Sequence, residues 1–244
     1  MKIALKNVSL VAVASTHHIA TIKALRFSSK YIDFGKILFL SEINPCPQKK
    51  FFTYVKTEKF NNISEWGKFI VFDLYKYIST PYIILIHADG FIVNPKNWDN
   101  KYLEFDYIGS PWPLPKDSIS FRDKQGKIFR VGNSVSLRSK KILELPSKLK
   151  LKWNNFILDI PHEDGFLCVQ QRSLLEKNGI KFAPVEVAAL FAREYPIPEN
   201  KNVEPFLFHK WVGENKKYPN FIRHSLYKKF YNFLKNLMIQ FRIK

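Results

Sequence analysis

Residues 8–14 read Val-Ser-Leu-Val-Ala-Val-Ala, an almost unbroken apolar run. Such a run does not alternate, so it suits a strand covered on both faces, as in a parallel sheet between helices. The polar Ser15-Thr16-His17-His18 follows, in position to open a helix, and Ile19, Ile22, Leu25 and Ile32 recur at roughly helical spacing. Lys36–Leu40 (KILFL) is then a second strand. A strand–helix–strand opening marks an α/β sheet. Working outward, Phe51–Thr57 reads as an edge-like strand. Ile63–Ile78 reads as a helix, with Trp66, Phe69, Ile70, Leu74, Tyr77 and Ile78 on one face, stopped by Ser79-Thr80-Pro81. Tyr82–Ile86 (YIILI) is another buried strand, expected to lie centrally, and it runs directly into His87-Ala88-Asp89-Gly90.

Further along, Phe105–Ile108 reads as a short strand before the rigid Gly109-Ser110-Pro111-Trp112-Pro113, and residues 114–130 as a polar, mobile loop. Val131–Leu137 leads into a short helix near Ser139–Leu145. Pro161-His162-Glu163-Asp164-Gly165 precedes a helix to about Lys177, closed by Asn178-Gly179. Lys181–Pro184 is expected as a last strand and 196–220 as a Pro- and Asn-rich loop interrupted by Phe206-Leu207-Phe208-His209. The organisation is therefore one α/β domain over 1–220, with a mostly parallel central sheet, and a basic helix over 221–244.

Composition narrows the classes. The chain has 244 residues, 46% hydrophobic and 25% charged, which excludes wholesale disorder. Thirty-nine Lys and Arg against 21 acids give +18, which favours anionic partners: nucleic acid, an anionic membrane face or phosphorylated small molecules. No Walker, RNP, zinc-finger or KH pattern is present, so nucleic acid is not expected as a partner. The two cysteines, Cys46 and Cys168, form no CxxC or Cys/His cluster. A reduced, cytoplasmic setting follows as the simplest expectation. No stretch approaches the roughly 20 apolar residues of a membrane span, and Val8–Ala14 reads as a core strand rather than a signal peptide.

Four segments carry candidate chemistry. Asp89 stands at the carboxyl end of a buried strand, where open α/β sheets bind ligands, and a carboxylate there can hold Mg²⁺ or Mn²⁺ against a phosphate. A turn Asp beside a permissive Gly90 explains the same residues. Glu163 and Asp164 begin a helix, where acids either act as a general base or merely complement the helix dipole. In Gly132-Asn133-Ser134-Val135-Ser136-Leu137-Arg138-Ser139, small residues admit a ligand to the backbone and Arg138 can meet an anionic group; a tight turn before a capped helix is the alternative. His209, in Phe206-Leu207-Phe208-His209, is either a ligand or a packed histidine.

In combination these segments are more specific. The order His-Ala-Asp-Gly, Tyr-Ile-Gly-Ser-Pro-Trp, Gly-Asn-Ser-Val-Ser-Leu-Arg-Ser, His-Glu-Asp and Phe-Leu-Phe-His, over residues 8–212, resembles nucleotide-sugar glycosyltransferases of the GT-A fold. More narrowly it resembles a little-characterised bacterial and viral glycosyltransferase-like family, long carried as a domain of unknown function. The resemblance implies a GT-A-like fold and transfer of a sugar from a nucleotide-diphosphate donor to a hydroxyl of a glycan or glycolipid acceptor, with inversion. It implies that Asp89 matches the last Asp of an Asp-x-Asp metal motif, with His87 where the first would stand, and that His209 completes the shell of a divalent cation, Mn²⁺ or Mg²⁺. It implies Asp164 or Glu163 as the base, and Ala14, Thr16, His87, Asp89, Gly132, Asn133 and Arg138 along the donor and acceptor cleft. A hydrolase using Glu163, Asp164 and Asp89, and an inactive sugar-binding relative, are the competing readings.

The terminal segment 221–244 carries Arg223, Lys228, Lys229, Lys235, Arg242 and Lys244 and no acid. Leu226, Phe230, Phe233, Leu234, Leu237 and Phe241 form an apolar stripe on a helix. Such a helix suits an anionic membrane surface, which places the protein peripherally at the membrane, or else it packs on the domain or on another subunit.

Overall fold

A computed structural model describes residues 2–153 and 162–222. The basic helix expected over 221–244 falls, beyond Ile222, outside the described residues. In chain order the elements are β1 (Ile3–Val13), α1 (His18–Ser28), β2 (Ile32–Ser41), β3 (Thr53–Lys56), α2 (Ile63–Phe72), β4 (Tyr82–Ile86), β5 (Gly90–Ile92), β6 (Tyr107–Pro111), β7 (Val131–Ser139), α3 (Lys140–Lys148), α4 (Glu163–Gly165), α5 (Arg172–Lys177), α6 (Val185–Phe191), β8 (Ala192–Arg193) and β9 (Leu207–His209). Phe166–Gln170, between α4 and α5, is a π-helical turn.

The main sheet has six strands in the order β3-β2-β1-β4-β7-β6. β3, β2, β1 and β4 are mutually parallel, and β7 runs antiparallel to both β4 and β6. The sheet is therefore mostly parallel with β4 inside it, as its continuous apolar sequence predicts. The reason is visible in β1. Leu10 and Ala12 join α1 (Ile22, Leu25) and Phe91, Phe206 and Phe208 in one core layer. Val11 and Val13 join α2 (Trp66, Ile70) and Leu85 in the other. Both faces are buried, so no polar alternation survives.

The second sheet is small, three strands in the order β5-β9-β8. Gly90 of β5 pairs opposite His209 of β9. Three local readings are corrected. The helix over Ile63–Ile78 ends at Phe72 and continues as a 3₁₀ turn, Leu74–Tyr77. Phe105–Ile108 gives way to β6, which takes in Gly109, Ser110 and Pro111. Lys181–Pro184 is not a strand: Phe182 makes a single bridge to Tyr107, and Pro184 then starts α6. Residues 114–130 are less featureless than their polarity suggests. Arg122 and Ile128 form a bridge, and Phe121 stacks on Trp112 at 4.7 Å.

Candidate functional site

β4 ends at Ile86, and the next three residues turn back into β5. The His87 amide donates to the Gly90 carbonyl at 2.8 Å, which closes the turn and presents His87 and Asp89 at the strand's carboxyl end. β9 brings His209 to the same place. Its Nε2 lies 3.7 Å from Asp89 Oδ1, and its ring centre 5.8 Å from that of His87. Ligand atoms of His87, Asp89 and His209 all fall within 4.8 Å of one another. Gly90 is more than a permissive turn residue. A Cβ there would stand 2.5 Å from Val135 Cγ2 and 2.8 Å from the His209 ring, so only glycine lets β9 come this close.

Electrostatics keep the group ready to bind a cation. Burial, together with His209, pushes His87 down to about 4, so it is neutral at pH 7. Its Nε2 is buried without a hydrogen-bond partner. Two imidazole nitrogens and one carboxylate oxygen, one nitrogen unpartnered, fit a divalent cation. On the other side of the His209 ring, Nδ1 lies 3.5 Å from Glu194 Oε1. Glu194 is 4% exposed and also takes Lys210 Nζ at 2.6 Å and Asn133 Nδ2 at 2.6 Å. Burial alone would raise its pKa, but His209 and Lys210 outweigh that and hold it below the ordinary carboxylate range.

A cavity of about 430 Å³ opens beside this group. Ala14 and Thr16 of the β1–α1 loop line it together with His87 and Asp89. Four residues expected along the donor cleft thus share one cavity. The other three are placed differently. The space above Gly132 is filled by the chain's own Trp112, since a Cβ there would fall 2.0 Å from Trp112 Cη2. Asn133 is buried, and its amide bridges Ser110 Oγ and Glu194. Arg138 is fully buried and donates from Nη2 to Glu163 Oε1 at 2.9 Å. Its partner is thus a carboxylate of this chain.

That pair also separates the two candidate bases. Glu163 is 1% exposed and committed to Arg138. Asp164 is only partly buried and lines a second cavity of about 410 Å³. Its Oδ1 accepts the Gly165 amide at 2.8 Å. Burial first, then the neighbouring Glu163, raises it to about 7. Breaking the Arg138–Glu163 pair strands a buried charge, so Arg138→Met is expected to cost about 3–5 kcal/mol in urea denaturation. The double variant Arg138→Met/Glu163→Leu is expected to recover much of that loss. A single-variant loss below about 1 kcal/mol would show that the pair does not hold this wall of the site.

Glu194 is the residue that the sequence reading missed. It sits just after β8, and its partners His209 and Asn133 are far from it in the chain.

Solved structures share the fold described above. An active-site mutant of LgtC superposes with a TM-score of 0.50 at 10% identity, covering 93% of this chain and 95% of that one. A glycosyltransferase involved in glycosylating the major capsid of PBCV-1 gives 0.48 at 14% identity, covering 86% and 95%. The bifunctional IspDF of Campylobacter jejuni gives 0.41 at 13% identity; the chain covers 48% of that protein's length, and 72% of its own residues are matched. LgtC is a galactosyltransferase whose structure has been solved with donor and acceptor sugar analogues. At such identity the likeness concerns the fold alone. No curated protein sequence matches the chain. The profile of the family described as protein of unknown function DUF5672 matches residues 50–209, well over half of the chain, and the chain belongs to that family.

Proposed function

We propose that this protein is a metal-assisted glycosyltransferase that moves a sugar from a nucleotide-diphosphate donor to a hydroxyl of a glycan or glycolipid, inverting the anomeric configuration. The observation that carries this reading is the His87, Asp89 and His209 group at the carboxyl end of β4, open to the cavity lined by Ala14 and Thr16. In a sheet of this kind that is where ligands bind. His87, Asp89 and His209 would hold the cation, which when bound neutralises the charge of the leaving diphosphate. The two nitrogen donors favour Mn²⁺ over Mg²⁺, which prefers an all-oxygen shell.

The remaining work belongs to side chains. Asp164 borders the second cavity and takes the acceptor's hydroxyl proton as the acceptor oxygen attacks the anomeric carbon. The bond from that carbon to the diphosphate oxygen breaks, and its electron pair leaves with the nucleoside diphosphate. Attack opposite the leaving group inverts the centre. A pKa near 7 gives Asp164 a useful fraction of base at neutral pH while leaving it basic enough to accept the proton. Glu194, 3.5 Å from Nδ1, would orient His209 with Nε2 toward Asp89 once the two close to a hydrogen bond. The domain that carries all of this is residues 1–220, on which Phe221 still stacks against Phe91 and Ile222 lines the first cavity, and the basic segment 221–244 is proposed as a peripheral membrane contact.

The test of the reading is thermal stabilisation by uridine or guanosine diphosphate with Mn²⁺. Stabilisation that requires both components supports it, and none with either nucleotide removes it. Glu194→Gln tests the supporting contact. Manganese affinity by titration calorimetry is expected to fall about 10–100-fold, measured on protein that circular dichroism shows to be folded. An unchanged affinity would show that Glu194 does not orient the ligand.

A further inference from the structure

The second cavity is linked to the cation group by side-chain contacts: Glu194, which lines it, lies 3.5 Å from His209, and His209 lies 3.7 Å from Asp89. Its size, about 410 Å³, falls in the range of small-molecule sites. Besides Asp164 it is walled by Trp112, Phe121, Arg122, Tyr195 and Lys210. We propose that this cavity is the acceptor subsite and that it takes a sugar residue carrying an anionic substituent, a carboxylate or a phosphate. The proposal rests on the glycosyltransferase reading for the word acceptor, and on the cavity itself for the ligand class.

The aromatic part of the wall is built at some cost. Phe121 has φ 57, a left-handed backbone that bulky residues avoid. It is held there by its stack on Trp112, 4.7 Å between centres and 11° between planes, and by its carbonyl, which accepts the Phe129 amide at 2.8 Å. Strain of this kind collects where a ligand is clamped. Tyr195 adds a ring that is 36% exposed. Aromatic faces are negative and attract the C–H face of a pyranose, while leaving its hydroxyls free for Asp164.

The charges decide what kind of pyranose. Among the described residues Arg122 has no carboxylate within 4 Å, and its Nε is buried without a hydrogen-bond partner. Its Nη1 donates only to the Gly126 carbonyl, at 3.3 Å. Lys210 spends one proton on Glu194 at 2.6 Å, and its side chain is 46% exposed. The nearby acids offset little of this. Glu194 is already shared among Lys210, His209 and Asn133, and Asp164 is about half protonated at neutral pH. A neutral sugar would leave Arg122 with only the Gly126 carbonyl and the more distant charge of Asp117, whereas an anionic one supplies a direct charged partner.

The experiment uses the full chain with Mn²⁺ and a nucleoside diphosphate present. Binding of methyl β-D-glucoside, methyl β-D-glucuronide and methyl β-D-glucoside 6-phosphate is measured by saturation-transfer NMR and calorimetry. At least one anionic glycoside is expected to bind about tenfold or more tighter than the neutral one, the gain of a charge-assisted hydrogen bond. Which of the two binds tighter tells carboxylate from phosphate. The advantage is expected to collapse in Arg122→Gln, and all three ligands are expected to weaken in Tyr195→Ala. Equal affinity for the three, no binding of any, or an advantage that survives Arg122→Gln overturns the proposal. Stabilisation by the diphosphate is scored separately. If it fails while the anionic preference holds, the pocket assignment stands and the transferase reading falls; the reverse pattern leaves the transferase reading and removes this one.

Discussion

Asp89→Ala is expected to lose manganese-dependent binding of a nucleoside diphosphate altogether. The wild-type protein, given a diphosphate at about 100 times its dissociation constant, gains about 2.7 kcal/mol, or roughly 5–10 °C in Tm for a chain of this size. In the variant the shift falls to near zero. Asp89 supplies the only carboxylate in the group with His87 and His209, so its loss exceeds the roughly 10–100-fold effect of a supporting residue such as Glu194. His209→Ala is expected to show the same loss, because its Nε2 is 3.7 Å from Asp89 Oδ1. A full shift retained in Asp89→Ala would sink the metal assignment and favour an ion-independent mechanism.

Asp164→Asn is expected to lower the rate of transfer about 10²–10⁴-fold, the usual contribution of a positioned base, while diphosphate binding stays nearly intact. With a pKa of about 7, the wild-type rate should fall about tenfold per unit below pH 7 and level off above it. The same shift has an opposite consequence for stability. Folding raises Asp164 from 3.8 to about 7, so the native state prefers the protonated form. The stability this contributes is fully present below the unfolded value and is lost as pH rises through 7. Asp164→Asn should therefore melt higher than wild type at pH 8 and nearly level with it at pH 4. Equal loss of diphosphate binding and transfer would assign Asp164 to the frame of the site instead.

The parts of this protein that could be read from sequence are those whose signal is local. The end of β1 and all of β4 are apolar runs because helices or the second sheet cover both faces, and each ends at the first cavity. His87 and Asp89 follow β4 directly, so their place at the strand end was legible. What was hidden depends on contacts between distant residues. Arg138 looks like an anion-binding arginine until Glu163, 25 residues later, is seen against it. Gly132 looks like a place for a ligand until Trp112 is found over it. Glu194 looks like any surface acid, and it matters only through His209 and Asn133. The misread strand over Lys181–Pro184 has a similar origin. Its single pairing to Tyr107 cannot extend, because Pro184 turns the chain into α6.

The small sheet also has a bearing on how the protein comes into being. Its strands come from 90–92, 192–193 and 207–209, and it is this pairing that carries His209 to His87 and Asp89. As the chain emerges from the ribosome, the first four strands of the large sheet and the cavity loop at Ala14 and Thr16 are available long before β9 exists. The cation group stays incomplete until residue 209 has left the exit tunnel. On the proposed reading, a chain stopped before residue 209 would lack the third ligand and would not hold the cation.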